Sequence, residues 1–363
     1  METDKQRCNI GFSPLTSTNN KYIEITVSCI KSTGAEVYGF YSIFSHPRLL
    51  WRTDAVILNW FERLGEKPLP RIRKLLAKIG IIAILGIFRI KIIYVLHNRV
   101  NHEERNRKMS LWFMKHLCRR ADKIIILSRA SREVLTPYMN EKKIEKKICY
   151  IPHPNYIDAY TPNEAKMKTL VSIPENTLIL LFVGAVRPYK NIELLISAAA
   201  QSSNRNIHFI IAGRPRDAAY KNALEEKAEG LSNITLLLQF IEDDILTALI
   251  HHSHMLILPY DQQSSLNSGT AILAFSCAKT VICPEIATIQ DFPGDLCYTY
   301  TYNTAAEHRE RLMEQISLAE RDFSMRKGVI EEKGKKLYDI VKDENSQEHI
   351  TELYRKLFSE LKT

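Results

Sequence analysis

Six apolar residues in a row, Leu178 to Val183, end at Gly184 and are followed closely by Arg187 and Lys190. An unbroken run of that length, made of Leu, Ile, Phe and Val, fits a strand buried on both faces of a parallel sheet. Gly184 permits a tight exit from such a strand. The next segment, Ile192–Ala200, is apolar at Ile192, Leu195, Ile196 and Ala199, the spacing of an amphipathic helix. Cations between a strand end and a helix start stand beside free backbone N–H groups, so the turn is built to hold an anion. The pattern returns at Ile210-Ile-Ala-Gly213-Arg214, and again at Leu256-Ile-Leu-Pro-Tyr260 with Ser268-Gly269-Thr270. Three strand ends with small or basic residues describe an open α/β sheet that takes a phosphorylated ligand at the carboxyl ends of its strands.

Strand-like and helix-like segments also alternate outside this region, which argues for α/β architecture with parallel sheets. Strands are expected near Asn9–Phe12, Val37–Phe40, Ala55–Asn59, Lys91–Leu96, Lys123–Leu127 and Lys147–Ile151. Helices are expected over Lys21–Ser32, Ile72–Leu85, Arg107–Arg120 and Ser131–Met139. A linker with Pro, Asn and Asp covers Pro154–Pro162, ahead of a second half with strands near Leu178, His208, Thr235, Met255 and Thr280. The last segment, Gln347–Lys362, sets Ile350, Leu353, Tyr354, Leu357, Phe358 and Leu361 on one helical face that needs a partner.

A chain of 363 residues has room for two domains, and 45% hydrophobic with 25% charged residues is a globular composition. No run approaches the ~18–20 apolar residues of a spanning helix; Ile79–Phe88 is too short and is bracketed by Lys78 and Arg89. The start, Met-Glu-Thr-Asp-Lys, lacks the apolar core of a signal peptide. Seven scattered cysteines without Cys-x-x-Cys spacing read as free thiols of a reducing cytoplasm. Residues 1–120 carry 21 Lys/Arg against 9 Asp/Glu, a basic half suited to an anionic membrane surface or a polyanionic acceptor. No nucleic-acid-binding signature accompanies that charge, so no nucleic-acid partner is expected. His251, His252 and His254 close a predicted helix that Asp243-Asp244 opens, positions that dipole and capping preferences explain without a metal.

The ordered set Gly184-Ala-Val-Arg187-Pro-Tyr-Lys190-Asn191, Ala212-Gly213-Arg214, Leu258-Pro-Tyr260 and Ser268-Gly269-Thr270 resembles the donor-nucleotide half of GT-B glycosyltransferases. It is most similar to the glycosyltransferase 4-like group of bacterial surface-polysaccharide assembly. Three N-terminal segments agree: Leu58-Asn-Trp-Phe-Glu62, Val95-Leu-His-Asn98 through His102-Glu103, and Ile151-Pro-His-Pro-Asn-Tyr156 look like that group's Leu-His-Trp-Pro-Glu, Val-His-Asn…His-Glu and Ile-Pro-His-Gly-Asn-Tyr. The resemblance implies two Rossmann-like domains whose parallel sheets face across a cleft. Residues 1–162 would bind acceptor, residues 163–340 would bind nucleotide-sugar, and a C-terminal helix within 341–363 would cross back to the first domain.

It also implies an activity: metal-independent transfer of a sugar from a nucleotide-sugar donor to a polysaccharide or polyprenyl-linked oligosaccharide acceptor, with no cofactor. The place would be the cytoplasm or the inner face of the cytoplasmic membrane. Donor-binding residues would be Gly184, Arg187, Lys190, Asn191, Gly213, Arg214, Tyr260, Ser268, Gly269 and Thr270. Lys190 matches the group's lysine and would offset charge growing on the departing diphosphate. Asn20, Tyr22, Asn98, His102, His153, Asn155 and Tyr156 would line the acceptor side, with His97 or Glu103 as the base. Two glutamates that many retaining members carry are replaced by Ser265 and Leu273. That departure leaves open a second reading, a weakly active or inactive GT-B-like partner of another transferase.

Overall fold

In the computed structural model, which describes residues 8–17, 21–65, 67–99, 107–172, 174–203 and 206–361, strand and helix alternate nearly throughout. Two compact units result: Met1–Pro154 with Glu344–Thr363, and Asn155–Asp343. In chain order the first begins with β1 (Asn9–Ser13), α1 (Lys21–Ser32), β2 (Glu36–Gly39), α2 (Ser42–Ser45), α3 (Pro47–Arg52), β3 (Ala55–Asn59) and α4 (Pro68–Ile87). It continues with β4 (Lys91–Leu96), α5 (Arg107–Arg120), β5 (Lys123–Ile126), α6 (Glu141–Lys147) and β6 (Ile148–Tyr150). All pairs are parallel, in the order β2-β1-β3-β4-β5-β6. The chain turns one way from β1 to β2 and the other way from β3 onward, so a switch point lies between β1 and β3. All five residues of β3 and the last five of β4 are buried, as central parallel strands covered on both faces must be.

The second unit runs through α7 (Glu164–Lys168), β7 (Leu178–Val183), α8 (Ile192–Gln201), β8 (Ile207–Ala212), α9 (Ala218–Ala228), β9 (Ile234–Leu237), α10 (Asp243–His252) and β10 (Met255–Ile257). Then follow α11 (Gly269–Ser276), β11 (Thr280–Pro284), α12 (Ala287–Gln290), β12 (Tyr298–Tyr300), α13 (Ala305–Met325) and α14 (Val329–Glu344). Its sheet is again wholly parallel, in the order β12-β11-β10-β7-β8-β9, with the switch point between β7 and β10. The six apolar residues of β7 are all buried. The final helix, α15 (Gln347–Leu361), belongs to the first unit, where it packs on α1 through Ile350, Tyr354, Leu357 and Phe358.

These findings support the α/β architecture with parallel sheets. One element differs: the helix expected over Ser131–Met139 is a 3-10 turn at Arg129–Leu135, stopped before Pro137, whose ring cannot continue a helix. The lysine-rich stretch after it coils into α6, capped by Asn140, with Lys142, Lys143 and Lys146 exposed. The strand β12 and the long helices α13 and α14 were outside the sequence expectation.

Candidate functional site

In the second unit the carboxyl end of β7 meets the end of β8 glycine to glycine. Gly184 has φ +128° and Gly213 φ +153°, and a Cβ on Gly213 would stand 1.8 Å from the Gly184 carbonyl oxygen. No side chain fits at Gly213, so the two strand exits can close on each other only there. A Cβ on Gly184 would come 3.4 Å from Lys190 Nζ and 3.9 Å from Thr270 Oγ1. The space above Gly184 is therefore bounded by an ammonium and a hydroxyl. Pro188–Lys190 makes a single 3-10 turn, and Asn191, at φ 53°, bends the chain into α8. The Asn191 Nδ2 donates to the Pro259 carbonyl at 2.8 Å, which ties the β7 exit to the β10 exit across the switch point.

Lys190 is the electrostatic centre of this arrangement. Its Nζ lies 5.1 Å from the Tyr260 ring and 5.6 Å from the Phe182 ring. Among the described residues no carboxylate pairs with it. Desolvation pushes its pKa down, Tyr189 partly counters this, and Arg187 adds to it. Lys190 is half-buried; a cation partly withdrawn from water without a counter-charge is costly, and an anion seated beside it relieves that cost. Arg187 points its guanidinium at carbonyls: Nη1 donates to Val186 at 3.0 Å and Arg214 at 3.1 Å. It braces the β7–β8 exits as well as adding charge.

The third strand end completes the rim. Ser268 caps α11, its Oγ accepting from Ala271 N at 3.1 Å, and its own amide donates to Thr288 Oγ1 at 2.9 Å. Ser268 Oγ also donates to the Tyr260 hydroxyl at 3.4 Å, and Thr270 bonds the same phenol, whose pKa burial pushes up to about 12. The amides of Gly269 and Thr270 lie in the first turn of α11, where helical N–H groups have no partner inside the helix. Those two amides, rather than that of Ser268, are the ones a ligand could reach.

The first unit gathers a different set at its own strand ends. Asn59, the buried last residue of β3, donates through Nδ2 to the Ser13 carbonyl of β1 at 3.0 Å. That bond assigns the amide orientation, so Oδ1 faces His97 Nε2 at 2.8 Å and the Tyr22 hydroxyl at 3.4 Å. An amide oxygen only accepts, hence the His97 proton sits on Nε2. Trp60, at φ 50°, stacks on His97 with ring centroids 4.2 Å apart, and Tyr22 lies 4.7 Å from His153. Burial, then His153 and Arg63, hold His97 well below the usual histidine range. Burial likewise pushes His153 down to about 4, while its Nδ1–H donates to the Pro154 carbonyl at 2.9 Å. Beneath them Glu62 is buried and accepts from the Tyr94 hydroxyl at 2.9 Å; burial raises its pKa. The cluster is thus polar, aromatic and neutral.

Comparison with known proteins bears on these sites. Residues 177–314 match the family model described as Glycosyl transferases group 1. A GDP-mannose:glycolipid 4-beta-D-mannosyltransferase of Xanthomonas campestris pv. campestris is 27% identical over 241 residues, 65% of this chain and 62% of the relative. The chain therefore spans somewhat under two thirds of that relative's length. Among solved structures, HepE of Anabaena in complex with UDP aligns with a TM-score of 0.72 at 13% identity, covering 98% of this chain and 100% of that one. Sucrose-phosphate synthase from Thermosynechococcus elongatus aligns with a TM-score of 0.70 at 16% identity, over 98% and 100%. With the two parallel six-stranded sheets, these likenesses establish a GT-B glycosyltransferase fold.

Within the stretch that matches this family model, Gly184, Lys190, Asn191, Gly213, Tyr260, Ser268, Gly269 and Thr270 converge at one set of strand ends, with Arg187 braced beside them. Arg214 is exposed beside Gly213, on a groove shared with Arg216, Lys221 and Phe240. Asn155 and Tyr156 lie elsewhere. The Asn155 amide donates to the Val341 carbonyl at 2.7 Å, and Tyr156 N donates to Ser276 Oγ at 2.9 Å, at the far end of α11 from Ser268. A polar linker residue pinned to a helix end anchors the chain. Leu273 packs in the apolar core, and Ser265 is buried with its amide on the Asp261 carbonyl at 2.8 Å. His254 Nδ1 accepts from Ile179 N at 3.0 Å, a structural bond. In the first unit Tyr22, His97 and His153 meet, and Asn98 follows half-buried. Asn20, His102 and Glu103 lie outside the described residues. Sequence reading missed Asn59 as the hub; the available signal was a polar amide closing an otherwise apolar strand, Ala55–Leu58, where burial demands partners.

Proposed function

We propose that the chain transfers a glycosyl unit from a nucleoside-diphosphate sugar to a glycolipid acceptor, without a metal, at the inner face of the cytoplasmic membrane. The observation that carries this reading is Lys190: a desolvated ammonium without a carboxylate partner, above Gly184 and beside the first turn of a helix. A diphosphate placed there would gain the ammonium and the Gly269 and Thr270 amides together. Negative charge grows on it as the glycosidic bond to phosphate breaks, so these fixed donors favour the transition state over the ground state. Such charge compensation is what a divalent ion would otherwise supply.

The Xanthomonas relative's name specifies GDP-mannose and a glycolipid, whereas the Anabaena structures hold UDP and glucose. Both are nucleoside-diphosphate chemistry on this fold, and the donor class is proposed at that level. The acceptor would be bound by the first unit, where neutral His97 is in the form that accepts a proton from a sugar hydroxyl. The deciding experiment is a thermal-shift titration with GDP, UDP and their sugars, followed by transfer to a lipid-linked acceptor. Binding to the native state raises the melting temperature by mass action. At least one nucleotide should stabilise the protein, and Lys190→Ala should remove that response; a melting curve unmoved by every nucleotide would overturn the reading.

A further inference from the structure

Helix α4 wears its apolar side outward. Two of its cations face the protein instead: Arg71 Nε donates to the Gly65 carbonyl at 2.8 Å, and Lys78 Nζ donates to those of Phe61 and Arg63 at 2.6 and 2.7 Å. The buried side runs through Arg71, Ile82 and Leu85. Opposite it, Leu69, Ile72, Leu76, Gly80, Ala83 and Ile87 are exposed. At 3.6 residues per turn these six fall within a stripe about 80° wide and about 27 Å long. Leu69, Leu76 and Ile87 are 74%, 64% and 76% exposed. Trp51, 81% exposed, packs on Phe88 at 4.9 Å just past the helix end.

The charge around the stripe points to its occupant. Residues 67–91 hold seven Lys or Arg and no Asp or Glu, and Lys67, Arg73, Lys74 and Arg89 are exposed. A second copy of this chain would set these cations against their own kind, with no acid in the segment to neutralise them. An anionic bilayer meets both demands, since its headgroups supply diffuse negative charge and its acyl boundary accepts a flat apolar stripe. Among the described residues no helix is long and apolar enough to cross a membrane, so the geometry is that of a helix lying on the surface. We propose that α4 is a membrane-docking helix, its stripe in the headgroup–acyl boundary and Lys67, Arg73 and Arg89 at the level of lipid phosphates. The inference rests on the glycolipid acceptor proposed above, because it brings the first unit to the surface in which such an acceptor is embedded.

The test is co-sedimentation of the full chain with phosphatidylcholine vesicles, with and without phosphatidylglycerol, at low and high salt. Binding should need phosphatidylglycerol, reverse with salt, and fall about tenfold or more in Leu69→Glu/Leu76→Glu and in Arg73→Glu/Arg89→Glu. All four positions are exposed, so melting temperature and nucleotide-induced shift should match wild type in both variants. Wild-type protein left in the supernatant, or a leucine double variant that sediments like wild type, would overturn the docking helix. So would a light-scattering dimer that Leu69→Glu/Leu76→Glu makes monomeric, which would give the face to a second copy. Loss of the nucleotide-induced shift in wild type would instead count against the proposed transferase function, and the vesicle result would stand apart from it.

Discussion

Each sheet has one switch point, and in each an asparagine crosses it. Asn59 Nδ2 reaches the Ser13 carbonyl from β3 to β1, and Asn191 Nδ2 reaches the Pro259 carbonyl from the β7 exit to the β10 exit. Beyond that shared device the two strand-end regions diverge. The second unit closes on bare backbone, Gly184 against Gly213, and sets one ammonium without a carboxylate partner above it. The first unit fills the equivalent place with side chains, two imidazoles, a phenol and an indole, all neutral at neutral pH. A doubly charged diphosphate calls for fixed charge and close backbone approach. A sugar hydroxyl calls for neutral hydrogen-bonding groups and flat faces. The same fold is thus tuned by what stands at its strand ends, and the contrast can be broken by experiment.

The largest effect should come from one substitution made in both units. Gly213→Ala puts a methyl into the Gly184 carbonyl, backbone against backbone, at a φ that alanine avoids; a loss of about 4 kcal/mol in urea unfolding is expected. Gly11→Ala, in β1, meets the Cδ1 tip of Ile43 at 2.6 Å and Val56 Cγ1 at 3.2 Å, side-chain atoms able to shift. Its cost should be about 1–2 kcal/mol. Equal losses would mean that the first unit's strand ends are as tightly closed as the second's.

Next in size is the separation of binding from stability. Lys190→Met should weaken nucleoside-diphosphate binding by about 1.5–3 kcal/mol, measured by calorimetry, while the unliganded protein melts no lower than wild type. Removing a desolvated ammonium that lacks a carboxylate partner relieves the free protein of its cost. Asn59→Ala should do the reverse, since it removes the acceptor that His97 Nε2 and the Tyr22 hydroxyl share: about 1–3 kcal/mol of stability lost, nucleotide affinity unchanged. A Lys190→Met protein that binds normally would end the assignment of the second unit's site.

Acid should act through depressed imidazoles in both units: burial lowers His97 and His153 in the first and pushes His308 down to about 4 in the second. Unfolded histidine takes its proton near 6.5, whereas His153 takes it only near 4, so between these values the native state holds fewer protons than the unfolded chain. Stability therefore falls as pH drops through that window, by about 2 kcal/mol near pH 5 for His153. His153→Gln should flatten this limb of the melting profile; an unchanged slope would show the imidazole to be solvated. Lys190 works at the other end of the scale. Its pKa is lowered, so diphosphate binding should weaken on the alkaline side before an ordinary lysine would lose its proton.

How much of this could be read from the chain follows from how local each feature is. The turn after β7 was legible because a buried strand, a glycine and a lysine ahead of a helix follow one another within a few residues, and glycine or a capping serine marks the two later strand ends. What could not be read there is direction: nothing in the order of residues says that Arg187 turns to the Val186 and Arg214 carbonyls, or that Ser268 gives its amide to Thr288. The first unit's cluster is non-local, with Tyr22, Asn59, His97 and His153 drawn from four segments by the sheet order. Pairwise motifs named three of them, and only the parallel register of β1, β3 and β4 reveals Asn59 as their common partner. For α4 the sequence leaves two readings of Arg71–Lys91 open, a helix that covers a sheet before the next strand begins and a face that lies on anionic lipid; which side turns inward is seen only from where Arg71 and Lys78 find carbonyls.

The smallest expected effect is none at all, and it is a sharp one. Transferases that depend on a divalent ion hold it with carboxylates at a strand end, so chelation stops them. Asp261 stands nearest that position here, four residues beyond β10, and its carboxylate is taken up locally: Oδ2 accepts from Ser264 Oγ at 2.5 Å and Oδ1 from Gln263 N at 3.0 Å. On the proposed mechanism the charge for the leaving group would fall instead to Lys190 and the α11 amides. A chelator added to the transfer assay should leave the rate unchanged, and Mg²⁺ should not rescue Lys190→Ala, because among the described residues no cluster of ligating side chains could hold the ion where the ammonium stood. Turnover abolished by the chelator and restored by Mg²⁺ or Mn²⁺ would reverse the comparison, making Asp261 rather than Lys190 the centre of the second unit's chemistry.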